Sequence, residues 1–223
     1  MSEPSLPPIT DDRWSRCFAQ QYDRAFAEVE RSFLGPLRSR LVGDLAGRVV
    51  EIGAGTGANV RHYRAAQQVH FVEPLASMRE QLQRRLEARE GGIPMSAVPG
   101  RAEALPFADG SADAVVSTLV LCSVADVTRA LSEVRRVLTP GGVFVFLEHS
   151  RGRGVKRLVQ AAITPLTIRL CGNCHHDRDL VGAIDGSGFA GVEPLSVLAP
   201  LGVRLLPEWP LVAGRATVQP GSR

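Results

Sequence analysis

Lysine is almost absent from this chain: Lys156 is the only one among 223 residues. No G-x-x-x-x-G-K-[ST] segment exists, which excludes P-loop phosphate chemistry. Lysine Schiff-base chemistry would have to rest on Lys156 alone. Long apolar runs are also missing. No stretch approaches the ~18 uninterrupted apolar residues of a membrane-spanning helix. The opening M-S-E-P-S-L-P-P is polar and proline-rich and lacks the charged start and apolar core of a secretory signal. Cysteine is sparse: Cys17, Cys122, Cys171 and Cys174 are the four present. With no export signal they are expected to be reduced thiols in a cytoplasmic protein. The net charge of +3 is mild and evenly spread, and no basic run resembles a nucleic-acid-binding arm. What remains is ordinary for a globular domain, with 44% hydrophobic and 22% charged residues. The length suits one α/β core with a small cap.

The most informative segment is Val49–Gly57, V-V-E-I-G-A-G-T-G. It reads as a short apolar strand, a glutamate and a glycine-rich turn. Gly53, Gly55 and Gly57 lack Cβ, so the chain can turn sharply and a ligand can lie against bare backbone. A helix expected from about Ala58 would offer unpaired N–H groups there. Gly53, Gly55 and Ala58 also fit the dinucleotide pattern G-x-G-x-x-G/A. Glu51 argues against a pyrophosphate, because its charge points toward the ligand. A cationic amino-acid tail or a sulfonium suits it better. Glu73 closes the next apolar run, Val69–Val72, where a carboxylate can accept both hydroxyls of a ribose. That position indicates a nucleoside without choosing the cofactor.

Periodicity organises the rest. Trp14, Phe18, Tyr22, Phe26, Val29 and Phe33 recur at helical spacing between Asp11 and Arg40, and the stripe is expected to pack in the core. Strands are expected at about 48–52, 69–72, 95–98, 114–121 and 143–147. Helices carry Leu75, Met78, Leu82 and Leu86, and then Val127, Leu131, Val134 and Leu138. The 139–142 segment, T-P-G-G, is expected to stop the second of these. Two last strands, 192–198 and 211–218, flank a proline-rich loop. Alternating strands and helices imply a parallel sheet covered on both faces, with ligands at the strands' carboxyl ends. Residues 1–10 read as a disordered lead, and 11–223 as a single domain with a cap over 151–185. The basic amphipathic stretch 155–170 reads as a lid or as a surface that touches a membrane.

Several segments together resemble the class I S-adenosylmethionine-dependent methyltransferases: Val49–Gly57, Val72–Met78 (V-E-P-L-A-S-M), Gly100–Phe107 (G-R-A-E-A-L-P-F), Asp113–Val120 (D-A-V-V-S-T-L-V) and Arg136–Gly142 (R-V-L-T-P-G-G). Within that superfamily the chain is similar to the quinone-biosynthesis enzymes, and closer still to the methyltransferase-like thiol S-methyltransferases. The shared segments are Gly55–Asn59, Thr118–Val124, Phe146–His149 and a G-x-C-x-x-x-R element at Gly172–Arg178. The animal relatives carry an N-terminal membrane-associating segment that this chain lacks, so membrane attachment does not carry over.

The resemblance implies an α/β Rossmann-like sandwich on a mostly parallel seven-stranded sheet with an antiparallel last strand. It implies S-adenosyl-L-methionine as cofactor, S-adenosyl-L-homocysteine as product and a small, lipophilic acceptor at sulfur, oxygen or carbon. Gly53, Ala54 and Gly55 would line the methionine part, with Glu51 nearby and Thr118 and Leu119 closing that side. Glu73 would hold the ribose, and Pro74 and Met78 would flank the adenosine. Ala102 would meet the adenine edge through its N–H, with Glu103 near the exocyclic amine. Tyr22 would fold over the cofactor. Two other classes stay open at this point: an NAD-type oxidoreductase and a non-catalytic cofactor binder.

At the acceptor end, His149 follows Glu148 at the end of a strand and is the candidate general base, since imidazole titrates near neutrality. Cys122, Cys174 and Arg178 are candidate acceptor-binding residues, although a buried cysteine commonly packs as a small hydrophobe. The run C-G-N-C-H at Cys171–His175 fits the covalent haem pattern, but that chemistry belongs to exported proteins. The same residues with His176 could hold zinc, but they are crowded and lack a second C-x-x-C. Cys171, His175 and His176 therefore read as local variation, with no metal expected. Neither the acceptor nor the oligomeric state is legible.

Overall fold

A computed structural model describes residues 9–199 and 209–219. The chain enters through α1 (Arg13–Val29), whose Asp12 cap accepts the Ser15 N–H at 2.8 Å. A single π-helical turn, Glu30–Leu34, leads into α2 (Gly35–Val42). The sheet is then laid down as β1 (Gly47–Ile52), β2 (Ala66–Val72), α3 (Ala76–Glu87), β3 (Met95–Val98), β4 (Ala112–Thr118), α4 (Val127–Val137) and β5 (Leu138–His149). Helices α5 (Val155–Leu170) and α6 (Leu180–Asp185) follow, and β6 (Ala190–Ala199) and β7 (Trp209–Thr217) complete it.

The seven strands lie in the order β3-β2-β1-β4-β5-β7-β6. β1 to β5 pair in parallel, and β7 runs antiparallel to both β5 and β6. This is the expected mostly parallel seven-stranded sheet with an antiparallel last strand. Strand order reverses between β1 and β4, the place where open α/β sheets hold ligands. Alternate residues feed opposite cores. Val50, Ile52, Val115 and Phe144 face α4 and α6, whereas Val49, Phe71, Val116 and Val145 face the side of α3. With both faces covered, the strands are apolar almost throughout, as parallel strands are. The polar exceptions at the carboxyl ends, Glu51 and Glu148, are therefore conspicuous.

Four expectations change. First, no helix forms from Ala58. Residues 54–62 pass through linked turns, with Gly57 N–H bonded to Ala54 O, Val60 to Gly57 O and His62 to Asn59 O. Gly57 has φ +88°, β2 already starts at Ala66, and Asn59 and Val60 are weak helix formers. Between the glycine turn and the start of β2 the span is too short to nucleate a helix. Second, β5 begins at Leu138 rather than at Val143: α4 ends at Val137, as expected, but residues 139–142 join the strand that follows instead of forming a separate turn. The Gly141 N–H donates to Val218 O and the Val218 N–H to Gly142 O, both at 3.0 Å, so strand pairing satisfies these groups.

Third, β4 ends at Thr118 rather than at Leu121, because Leu119 turns to φ +62°. Fourth, most of the aromatic stripe is not core, although Val29 and Phe33 at its end pack against the buried cluster of Leu34, Leu147, Leu211 and Ala213. Ala19 is the buried residue of α1, and Trp14 and Phe26 are 51% and 39% exposed. The stripe forms a half-exposed aromatic ladder, Phe18–Tyr22–Phe26, with ring centroids 5.4 and 4.9 Å apart. The proline-rich loop between the last two strands and most of the N-terminal lead lie outside the described residues. Among the described residues no helix is long and apolar enough to cross a membrane.

Candidate functional site

A cleft opens where the carboxyl ends of β1 and β4 meet α1 and α2. It is walled by Gly53, Ala54, Gly55, Thr56 and Ala58 of the turn after β1, by Thr118 and Leu119 after β4, and by Tyr22, Arg38 and Glu51. Gly53 and Gly55 adopt φ +55° and +56°, a region that L side chains avoid. A Cβ on Gly53 would overlap the Val120 side chain, whereas one on Gly55 would meet nothing within 4 Å. Gly53 thus permits close packing of two loops, and Gly55 presents bare backbone to open space.

Beneath this turn is a buried polar network. The Glu51 carboxyl, 1% exposed, accepts the Tyr63 hydroxyl at 2.6 Å. Burial raises its pKa to about 7. Arg38, 4% exposed, donates from Nη1 to Thr118 Oγ1 at 2.8 Å and to Asn59 Oδ1 at 3.1 Å, and pairs with Glu30 at 3.1 Å. Sequence reading missed Arg38 and Asn59. Arg38 sits on a short helix of weak amphipathicity, and a lone arginine there looks like a surface residue until its partners from β4 and the glycine turn are known.

Glu73 follows β2 and reaches the glycine turn from outside the cleft wall. Its Oε2 accepts the Gly55 N–H and its Oε1 the Leu75 N–H, both at 2.9 Å, and burial raises its pKa. Pro74, Met78, Ala102 and Glu103 lie beyond it, outside the cleft wall. Met78 and Ala102 are buried. Glu103 is 3% exposed and accepts the Ala125 N–H at 2.8 Å, tying the loop after β3 to the loop before α4.

At the other end, Glu148 is fully buried. It accepts the Ser117 hydroxyl at 2.5 Å and the Val120 N–H at 3.0 Å, which fixes the turn that carries Leu119 to Cys122. His149 Nδ1 lies 3.5 Å from the sulfur of Cys122 and 3.5 Å from that of Cys174, and the two sulfurs are 3.2 Å apart. The hydrogen bond with the neighbouring Cys174 thiol, and then burial, push the Cys122 pKa well up. The loop bearing Cys174 is strapped to the turn after β4. The His175 N–H donates to Cys122 O, the Asn173 amide to Ser123 O, and Arg178 Nη1 to Leu121 O and Val124 O. Arg178 thus binds backbone and positions the loop. Cys171 is exposed and stands apart, so the C-x-x-C spacing is not what brings the sulfurs together.

Comparison with known proteins decides the family. Residues 50–146 match the family model described as "Methyltransferase domain". The chain is 33% identical over 161 residues to human thiol S-methyltransferase TMT1A, covering 71% of this chain and 66% of the relative. It is also 33% identical over 171 residues to rat thiol S-methyltransferase TMT1B, covering 75% of this chain and 69% of the relative. The chain belongs to the class I S-adenosylmethionine-dependent methyltransferases. A SAM-dependent methyltransferase from Thermotoga maritima shares the fold with a TM-score of 0.67 at 23% identity, over 92% of this chain and 98% of that one. The methyltransferase aligns with about two thirds of the length of the first two relatives. The cofactor of this family is S-adenosylmethionine, and the nicotinamide oxidoreductase alternative is dropped.

The residues present fit that cofactor. Its amino-acid tail is zwitterionic, and the methyltransferase cleft carries one buried acid, Glu51, and one buried cation, Arg38. Gly55 leaves open the space a side chain would fill.

Proposed function

We propose that this methyltransferase transfers a methyl group to a small, lipophilic thiol. The observation that carries this reading is the opening of a zwitterion-matched cleft beside the sulfur- and imidazole-lined end of β4 and β5. The names of the TMT1A and TMT1B relatives, thiol S-methyltransferases, support the acceptor class.

In this reading the Glu51 carboxylate takes the cofactor's ammonium and Arg38 its carboxylate. Gly53, Ala54 and Gly55 lie along the methionine part, and Thr118 and Leu119 close it. Glu73 accepts the ribose hydroxyls, Pro74 and Met78 flank the adenosine, and the Ala102 N–H and Glu103 read the adenine. Tyr22 folds over the top.

When bound, the cofactor supplies an electrophilic methyl on a sulfonium. The chain's task is to hold the acceptor in line with that bond, an alignment worth about 7–11 kcal/mol. Thiols lose a proton readily near neutral pH, and His149 is placed to promote that loss. Residues 151–185 form the cap over the acceptor. The outer face of α5, with Val155, Leu158 and Leu166 exposed beside Lys156 and Arg157, suits lipophilic acceptors and peripheral contact with a membrane surface. The four cysteines are unpaired, which fits a reducing cytoplasm. Small-molecule rather than nucleic-acid partners fit the weak net charge.

The test is a screen of thiols, phenols and quinols with methyl-labelled cofactor, run beside calorimetry with S-adenosylhomocysteine and NAD. Transfer to thiols with S-adenosylhomocysteine binding is expected. Preference for an oxygen or carbon acceptor would overturn the thiol assignment.

A further inference from the structure

Three soft donor atoms converge at the acceptor end of the cleft from three separate segments: Cys122 on the turn after β4, His149 at the end of β5, and Cys174 on the loop after α5. Their ligand atoms all lie within 4.8 Å of one another. Cys122 is 1% and Cys174 5% exposed. We propose that Cys122, His149 and Cys174 form a zinc site whose fourth position binds the acceptor as a thiolate. The second half deepens the thiol reading above and rests on it, since His149 then promotes thiolate formation through the metal rather than as a free base.

The distances support this. A tetrahedral zinc with bonds of about 2.3 Å to sulfur and 2.05 Å to nitrogen places sulfur and nitrogen ligands about 3.6 Å apart and two sulfurs about 3.8 Å apart. Both sulfur–nitrogen separations are 3.5 Å, and the sulfur–sulfur separation of 3.2 Å needs to open by about half an ångström. Three protein ligands with one open position is the arrangement of catalytic rather than structural zinc. The hydrogen bonds that strap the Cys174 loop to the turn after β4 hold the donors together. His176 adds an outer layer, with Nδ1 3.7 Å from Cys174 Sγ and its ring edge-on to His149 at 4.4 Å. Such second neighbours orient metal ligands. Leu119 lines the cofactor cleft and Cys122 follows on the same turn, so a thiolate held at the fourth position stands at the acceptor side.

The chemistry balances without another reactant. On coordination the acceptor thiol releases its proton to water. Its sulfur lone pair then forms the new S–C bond while the sulfonium–methyl bond breaks and its electron pair returns to the cofactor sulfur. The neutral thioether is a weaker zinc ligand than the thiolate and leaves.

The full-length protein, kept in phosphine reductant and dialysed against buffered zinc, is expected to hold stoichiometric metal by elemental analysis. Cys122→Ser and Cys174→Ser should lose it, and Cys171→Ser should keep it. S-adenosylhomocysteine binding reports that each variant is folded. Cobalt in place of zinc should show thiolate-to-metal absorption in the near ultraviolet, and adding a small thiol should shift its visible bands. Wild-type protein without stoichiometric metal, or with a Cys122–Cys174 disulfide in its place, overturns the site. Cobalt bands that ignore added thiol overturn the fourth-position assignment. Methyl transfer to thiols by metal-stripped protein overturns the fourth-position assignment and leaves the thiol reading standing; bound zinc without thiol methylation overturns the thiol reading and leaves the metal site standing.

Discussion

The Tyr63 hydroxyl donates a 2.6 Å hydrogen bond to a Glu51 carboxyl sealed beneath the glycine turn. Desolvation outweighs that bond and the nearby Arg38 charge, leaving the Glu51 pKa at about 7, above its ordinary value of 4.5. A carboxyl raised in the folded state contributes stability that is fully present below about pH 4.5 and is lost as pH rises through about 7. The shift corresponds to about 3 kcal/mol. Glu51→Gln should therefore flatten the pH dependence of denaturant unfolding between pH 5 and 8 and stabilise the ligand-free protein at pH 8. The same variant should bind S-adenosylhomocysteine more weakly at pH 8, because an ammonium needs the carboxylate. A steep stability slope persisting in the variant would remove Glu51 as its source.

The wild-type protein should release a proton on cofactor binding below pH 7, where Glu51 is protonated before the ammonium arrives. Calorimetry in buffers of different ionisation heat reads this directly. Equal heats across buffers at pH 6 would contradict the Glu51–ammonium pairing.

Arg38→Met should cost stability and affinity together. It strips Glu30 of a buried partner and Thr118 of a charged donor, changes worth about 3 kcal/mol in folding. It should also weaken S-adenosylhomocysteine by at least about tenfold, in line with a charged hydrogen bond of about 1.5–3 kcal/mol. A thermal melt and an isotherm on the same sample separate the two effects.

Gly53→Ala and Gly55→Ala should differ in kind. Both force a side chain to positive φ, a strain of about 1–2 kcal/mol. Gly53→Ala adds overlap with Val120 and should lower the melting temperature further, whereas at Gly55 the added methyl enters open space. Gly55→Ala should therefore show the larger loss of cofactor affinity relative to its loss of stability.

His149→Ala should lower kcat while leaving the S-adenosylhomocysteine dissociation constant nearly unchanged, because His149 is not among the residues that wall the cofactor cleft. Unchanged turnover from pH 6 to 9 would take His149 out of the reaction.

Much of the sheet was legible because parallel strands buried on both faces read as apolar runs ending in a charged residue, as Val49–Glu51 and Val69–Glu73 do. Elements that depend on partners were not. The segment after Gly57 lacked the length for a helix, and residues 139–142, which do follow the end of α4, were drawn into β5 by backbone pairing with Val218. In the cleft, Glu51, Gly53 and Gly55 were readable from local pattern, and Thr118 only through the family resemblance. Arg38 was not, because its role comes from Asn59 and Thr118, far away in sequence.

Local chemistry written along the chain was enough to fix the α/β class, the glycine turn and the acidic strand ends, since backbone permissiveness and hydrophobic period act over a few residues. The approach of Cys122 to Cys174 rather than to Cys171, the burial of Arg38 and the exposure of the α1 aromatics were decided only by folding. Each depends on which distant segments the sheet order brings side by side, and spacing within one segment carries no record of that.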